Sequence, residues 1–352
     1  MAIYALWNNK GGVGKSYLTF QVACEYARIH RDQNVLVIDL CPQANASSML
    51  LGGMEQGERH LDRISTTAPR RTIAGYIEDR IRSPYVSPQT GASYLTHISE
   101  INSAVPSNLY LVVGDEELEI QTSRVSNATN PGPTDAWRIV HSWVSDLIGD
   151  IRQSWDVTDS AVFIDCNPSF SIYTELAMSA SDRLIIPFSA DGSSKRAVRA
   201  VLALLYGVAR MPGAQQSEFF INSGRFRLTV PRIYCYVGNR LTQIYSASAK
   251  AYRTVVNSIG EEIWSVWNSN PQTFAIHPTG AGAPANKRDF KSMFQAEIND
   301  ANTASVVSSA LGIPICVLTA GTKRMNGREI SVNQTQLDRQ QPNLRAFVAT
   351  IE

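Results

Sequence analysis

The stretch Ile3-Tyr-Ala-Leu-Trp7, followed by Asn8-Asn-Lys-Gly-Gly-Val-Gly-Lys-Ser16, decides the fold. Ile3 to Trp7 read as a short buried strand, the glycines at 11, 12 and 14 as a loop, and the segment from Lys15 to about His30 as a helix. A strand that enters a glycine loop and opens a helix is a geometry for binding a nucleoside triphosphate. Successive backbone N–H groups and the positive helix end point at the anion. In that frame Gly11, Gly12, Val13 and Gly14 cradle the phosphates, Lys15 neutralises charge toward the γ-phosphate, and the Ser16 hydroxyl ligates Mg²⁺. The strict pattern has glycine five positions before Gly14. Asn9 stands there, a residue type that visits left-handed conformations more readily than most.

Working outward, the same apolar runs recur at 35–39, 109–113, 161–165, 183–187, 233–237 and 313–318. Runs apolar on both faces predict strands of a parallel sheet covered by helices. Between them Val198, Val201, Leu202 and Leu205 make one helical face, and Ile139, Trp143 and Ile148 lie in another amphipathic stretch. Strand alternating with helix predicts an α/β fold, doubly wound, with a mostly parallel sheet and helices on both faces. Ligands of such folds sit at the carboxyl ends of the strands, where the glycine loop, Asp39 and Asp165 all fall. A single domain over 1–352 is expected, with insertions or partner-facing elements near 51–108 and 273–304.

The chain has 352 residues, with 32 basic against 31 acidic side chains and a formal charge of +1. That balance excludes a globally basic coat, so any polyanion contact comes from a local patch. Five cysteines carry no CxxC pair, and five histidines carry no metal-binding spacing. The expectation is a reduced cytosolic chain in which no paired spacing marks a metal site. No apolar run approaches the roughly 18 residues that span a bilayer, and with the glycine loop reached so early no signal peptide is expected before it.

The string Lys10-Gly-Gly-Val-Gly-Lys15-Ser16 resembles the deviant Walker A motif of the ParA/MinD superfamily of P-loop ATPases. In that superfamily the earlier lysine reaches the partner's nucleotide across an ATP-sandwich dimer, a cation supplied in trans to the transferring phosphate. Asp39-Leu-Cys-Pro-Gln-Ala-Asn45 resembles the first switch, Asp165-Cys-Asn-Pro-Ser169 the Walker B region, and Asp182 to Pro187 the strand after it. Val237-Gly-Asn-Arg240 is similar to the segment whose asparagine contacts adenine, and Val332 to Ile351 to the closing ParA helix.

The resemblance implies catalytic roles for Lys10, Lys15 and Asp39. It implies nucleotide contacts from Lys10, Gly11 to Ser16, Tyr17 and Asn239, and Mg²⁺ ligation by Ser16, Asp39 and Asp165. Three positions depart from the family pattern. Cys41 replaces the second switch aspartate, associated with orienting the attacking water. A thiol of ordinary pKa about 8.5 is mostly protonated near neutrality and is a poor base, so slow hydrolysis is expected. Tyr17 replaces a small hydroxyl residue, leaving the α-phosphate to its backbone N–H, and Asn167 replaces a proline.

ParA relatives bind DNA non-specifically as ATP dimers, which makes Lys287, Arg288, Lys291, Lys323, Arg324, Arg328, Arg339 and Arg345 the candidate DNA contacts. The resemblance implies an ATP-dependent homodimer, a ParB-like or adaptor partner, and a cytoplasmic, nucleoid-associated location. Leu344, Phe347, Val348 and Ile351 are expected as core and not as a membrane anchor, because the segment lacks a lysine-rich polar face. Two rivals remain open: an ATP-switched scaffold that has lost hydrolysis, and a metabolic or redox member of the superfamily.

Overall fold

Leu36 and Ile38 turn to one face of the central sheet, and Val35 and Val37 to the other, and all four are fully buried. Val162 and Ile164 alternate with Ala161 and Phe163 in the same way. Both faces therefore carry a core, which is why these strands read as continuous apolar runs. The computed structural model describes residues 2–352 apart from 131, 156–158, 190, 192, 209–212, 214 and 242–246. Of 240, 241 and 247–252 it describes the backbone alone.

β1 (Ile3–Leu6) leads through the glycine loop into α1 (Lys15–Ile29) and β2 (Asn34–Asp39). Helices α2 (Asn45–Leu50), α3 (Gly53–Thr66) and α4 (Ile73–Arg82) and strand β3 (Leu95–His97) precede β4 (Leu109–Val112). Then come α5 (Leu118–Ala128), α6 (Ala136–His141), α7 (Trp143–Gln153), β5 (Ser160–Asp165), α8 (Ile172–Ala180) and β6 (Arg183–Phe188). Next are α9 (Ser194–Tyr206), α10 (Glu218–Phe226), β7 (Arg232–Leu241), α11 (Ala247–Ser269), α12 (Lys287–Phe294) and β8 (Gln295–Asn299). The chain finishes with α13 (Thr303–Leu311), the hairpin β9 (Gly321–Met325) and β10 (Arg328–Val332), and α14 (Gln334–Val348).

The eight-stranded sheet runs β3-β4-β2-β5-β1-β6-β7-β8. Every neighbouring pair is parallel except β3 with β4. This is the expected doubly wound α/β architecture. The register sets Asp39 beside Asp165 and Leu6 beside Asp165, so the loop and both carboxylates share one edge of the sheet.

Two expectations need correction. Residues 313–318 form turns and not a strand. Pro314 lacks a donor, and its carbonyl instead accepts from the N–H groups of Val317 and Leu318 at 3.0 Å each. Residues 273–304, read as a polar insertion, contain α12 and the sheet strand β8. β8 is an edge strand with one buried residue in five, Ile298, so its composition carries little apolar signal. The 51–108 stretch likewise contains α3, α4 and the sheet strand β3. Leu344, Phe347, Val348 and Ile351 are core, as expected. Among the described residues no helix is long and apolar enough to cross a membrane.

Candidate nucleotide-binding site

Helix α1 begins without a side-chain cap and without an acidic residue in its first turn. Its first N–H groups are left for an external acceptor. Gly14, at φ 78°, turns the chain into the helix through the left-handed region, and Gly12 has φ 75°. A Cβ on Gly11 or Gly12 would meet nothing within 4 Å. Those glycines therefore face open space that a ligand can approach.

Lys15 is buried, its Nζ donating to the carbonyls of Lys10 at 2.9 Å and Asn8 at 3.4 Å. Burial lowers its pKa, opposed by the charge of Asp165. Asn239 lies against the loop: its Nδ2 donates to the carbonyls of Val13 at 3.0 Å and Gly14 at 3.1 Å. Its Oδ1 is buried and accepts nothing among the described residues. The Arg240 side chain of that motif lies outside the described residues. Tyr17 turns its ring away from the loop into the core, its hydroxyl donating to Ser305 Oγ at 3.2 Å. Only its backbone N–H can serve a phosphate.

The two strand-end carboxylates differ. Asp39 Oδ1 accepts from the Cys41 N–H at 3.1 Å, and Oδ2 accepts from the Ser47 N–H at 2.9 Å and hydroxyl at 2.8 Å. Gly114 makes room, since a Cβ there would stand 2.8 Å from Asp39 Cγ, and its N–H donates to Ser47 Oγ at 2.8 Å. A backbone-and-hydroxyl cap is thus what meets Asp39. Asp165 Oδ1 accepts from Thr19 Oγ1 at 3.3 Å, while Oδ2 is buried with no hydrogen bond among the described residues. Burial raises Asp39 to about 6; burial and then the charge of Asp39 raise Asp165 to about 7, against the hydroxyls of Ser16 and Thr19.

Cys41 lines the cleft, and burial, with Asp39 and Asp165 beside it, pushes its thiol up to about 12. In the turn after β5, Asn167 stands in for a proline by accepting the Ser169 N–H on Oδ1 at 3.4 Å. The cleft has a volume of about 630 Å³ and runs from the loop past Cys41, Gln43 and Asn45 to Met54 and Glu58 of α3 and Ser309 of α13.

Lys10 turns elsewhere. Its Nζ pairs with the Asp191 carboxylate and donates to Ser189 Oγ at 3.1 Å and Ser194 Oγ at 3.4 Å. Sequence reasoning missed Ser47, Asp191, Met54, Glu58 and Ser309, which belong to no motif.

The eight DNA candidates are spread over α12, the β9–β10 hairpin and α14. Lys287 pairs with Glu261, Lys291 donates to Asn257 Oδ1 at 3.3 Å, and Lys323 to Thr319 Oγ1 at 2.9 Å. Arg345 lies 3.5 Å from the buried Glu25 carboxylate. Arg288, Arg324, Arg328 and Arg339 are exposed.

An uncapped helix behind a glycine loop, a buried lysine and paired strand-end carboxylates on a doubly wound sheet define the fold of the P-loop nucleoside triphosphatases. The family model described as an AAA domain (AAA_31) matches residues 1–213, and the chain belongs to that family. Within it the fold is of the ParA type.

The fold is similar to that of a Cyanothece McdA variant in complex with ATP, with a TM-score of 0.60 at 13% identity over 100% of this chain and 98% of that one. It is similar to a Borrelia burgdorferi B31 plasmid partition protein bound to AMPPNP, with a TM-score of 0.53 at 15% identity over 99% of each. Two Pseudomonas putida proteins, both described as uncharacterized and one placed in the gidB 3′ region, are each 27% identical over 194 residues. That match covers 54% of this chain, which spans only 56% of their length.

Proposed function

We propose that the protein dimerises on ATP, binds DNA non-specifically in that state, and partitions a plasmid or chromosome region or positions another cargo. The observation that carries this reading is the direction of Lys10. It sits among the phosphate-loop glycines yet lies outside the wall of its own cleft, on Asp191, Ser189 and Ser194. A lysine turned away from its own phosphates, once released from Asp191, would reach those of a second subunit and act there as an arginine finger does.

Within one subunit, the loop N–H groups and Lys15 hold the phosphates, and Asn239 Oδ1, buried with no donor among the described residues, would accept from a base amino group. The residues fit Mg²⁺: Ser16 and Asp165, with its unpartnered Oδ2, would hold it, and Asp39 would act through water while its cap keeps the switch in place. When bound, Mg²⁺ would supply positive charge against the phosphates that Ser16 and Asp165 face. Cys41 stays a neutral thiol and cannot take a proton from water, which supports slow hydrolysis. A ParB-like or adaptor protein would accelerate turnover and release a cytoplasmic, nucleoid-associated dimer. DNA contact falls to the basic side chains of α12, the hairpin and α14.

The thiol at Cys41 also favours a second reading, an ATP-switched scaffold without turnover. Gel-shift assays with random-sequence duplex in ATP and in ADP, paired with single-turnover phosphate release, separate the two. DNA retarded in ATP alone with slow release supports the ATPase. Retardation without release supports the scaffold, and no retardation in either nucleotide rejects DNA binding.

A further inference from the structure

Helix α3 lies in the stretch that read as an insertion, yet Met54 and Glu58 line the same cleft as Gly11, Gly12, Gly14, Lys15, Ser16 and Tyr17. They stand one helical turn apart on one face. The residue before each of them fixes the helix. A Cβ on Gly53 would lie 2.3 Å from the Ala310 carbonyl oxygen, and one on Gly57 2.0 Å from that of Ser48. Main-chain contact with α13 and α2 therefore sets where Met54 and Glu58 stand, and close packing of this kind tolerates little displacement.

Both side chains lack a partner suited to them. Met54 is apolar and 57% exposed. Glu58 is exposed, makes no hydrogen bond or ion pair among the described residues, and is the one carboxylate on the cleft wall among them. A carboxylate with no cation beside it and a polyphosphate in one cleft repel, so Glu58 suits the ligand best where the ligand presents hydrogen-bond donors.

Covalent order along a nucleotide locates those donors. With the β- and γ-phosphates at Lys15 and Ser16 and the α-phosphate at the Tyr17 N–H, the next groups are the ribose hydroxyls. Beside Tyr17 the wall is α13: Ser305 holds the Tyr17 hydroxyl at 3.2 Å, and Ser309, one turn on, lines the cleft. α3 packs on that same helix. Resting on the nucleotide reading above, we infer that Glu58 accepts hydrogen bonds from the ribose hydroxyls while Met54 lies against the base, making α3 the nucleoside wall of the site.

The test is isothermal titration calorimetry of the full chain with Mg²⁺ and either ADP or 2′-deoxy-ADP, alongside inorganic pyrophosphate, which has no nucleoside. Wild type binds ADP about tenfold more tightly than 2′-deoxy-ADP, and Glu58→Ala brings that ratio near one, leaving pyrophosphate affinity unchanged. Met54→Ala weakens both nucleotides about threefold and keeps the ratio. An unchanged preference in Glu58→Ala overturns the inference. So does tighter ADP binding by that variant, which would set Glu58 beside the phosphates. If wild type binds neither ADP nor pyrophosphate, the nucleotide reading fails and takes the inference with it; ADP binding with an unaltered ratio removes the inference alone.

Discussion

Lys10 and Asp191, 181 residues apart, form an ion pair between the phosphate loop and the segment after β6. They meet because β6 lies beside β1 in the sheet, which brings the end of one strand to the loop that follows the other. Burial works to raise the Asp191 carboxyl, but hydrogen bonds from Lys10, Ser189 and Ser193 outweigh it and hold the group well below the ordinary range. The lysine assigned to act on a partner's nucleotide is thus tied within its own subunit.

Releasing that tie favours association. Asp191→Asn lowers the ATP concentration needed for half-maximal dimerisation by up to about fivefold, the range set by a part-exposed pair. The effect shrinks in high salt, where such pairs are screened. Sedimentation across an ATP titration checks it, and weaker dimerisation in the variant would contradict the arrangement.

Cys41→Asp restores an acceptor for the proton of water. Phosphate release should rise about tenfold or more, whereas Cys41→Ser should leave it near wild type. If all three proteins turn over at the rate of a partner-stimulated relative, Cys41 does not limit hydrolysis.

Ser47→Ala removes a hydroxyl that both donates to Asp39 and accepts from the Gly114 N–H. Losing a hydrogen bond to a buried charged group costs about 1.5–3 kcal/mol. Urea unfolding should show a lower midpoint at unchanged slope. No shift would mean that the cap contributes little.

The strand-end carboxyls also set a pH dependence. Asp39 at about 6 and Asp165 at about 7 lie above their unfolded value of 3.8 because burial disfavours the charged form. A carboxyl with a raised folded pKa adds stability that is full below the unfolded value and is lost as pH rises through 6 to 7. Nucleotide-free protein should therefore melt a few degrees higher at about pH 5 than at about pH 8. Thermal scans should show a flatter dependence in Asp165→Asn, and a wild type that melts lower at the acid end would reverse the sign.

The centre of this molecule was legible because β1, β2, β5 and β6 are buried on both faces, which leaves unbroken apolar runs at the residues where the carboxylates and the loop end. The periphery was not. Ile313 to Leu318 is as apolar as a strand but covers the core from a turn made by Pro314, and Gln295 to Asn299 is a strand without looking like one. At the site, local motifs carried the proposed phosphate contacts, since one short segment supplies the glycines and Lys15. Asp191, Glu58 and Met54 reach it only through long-range packing, and nothing adjacent to them in sequence marks that.

The central claim is that ATP joins two copies of this chain through Lys10. Light scattering coupled to size exclusion tests it most directly, on wild type and Lys10→Ala with Mg²⁺ and either ATP or ADP. The expected result is the 38.7 kDa monomer in ADP, roughly twice that mass for wild type in ATP, and a monomer for Lys10→Ala in both. A wild type that stays monomeric in ATP, or a Lys10→Ala variant that dimerises as readily, would contradict it.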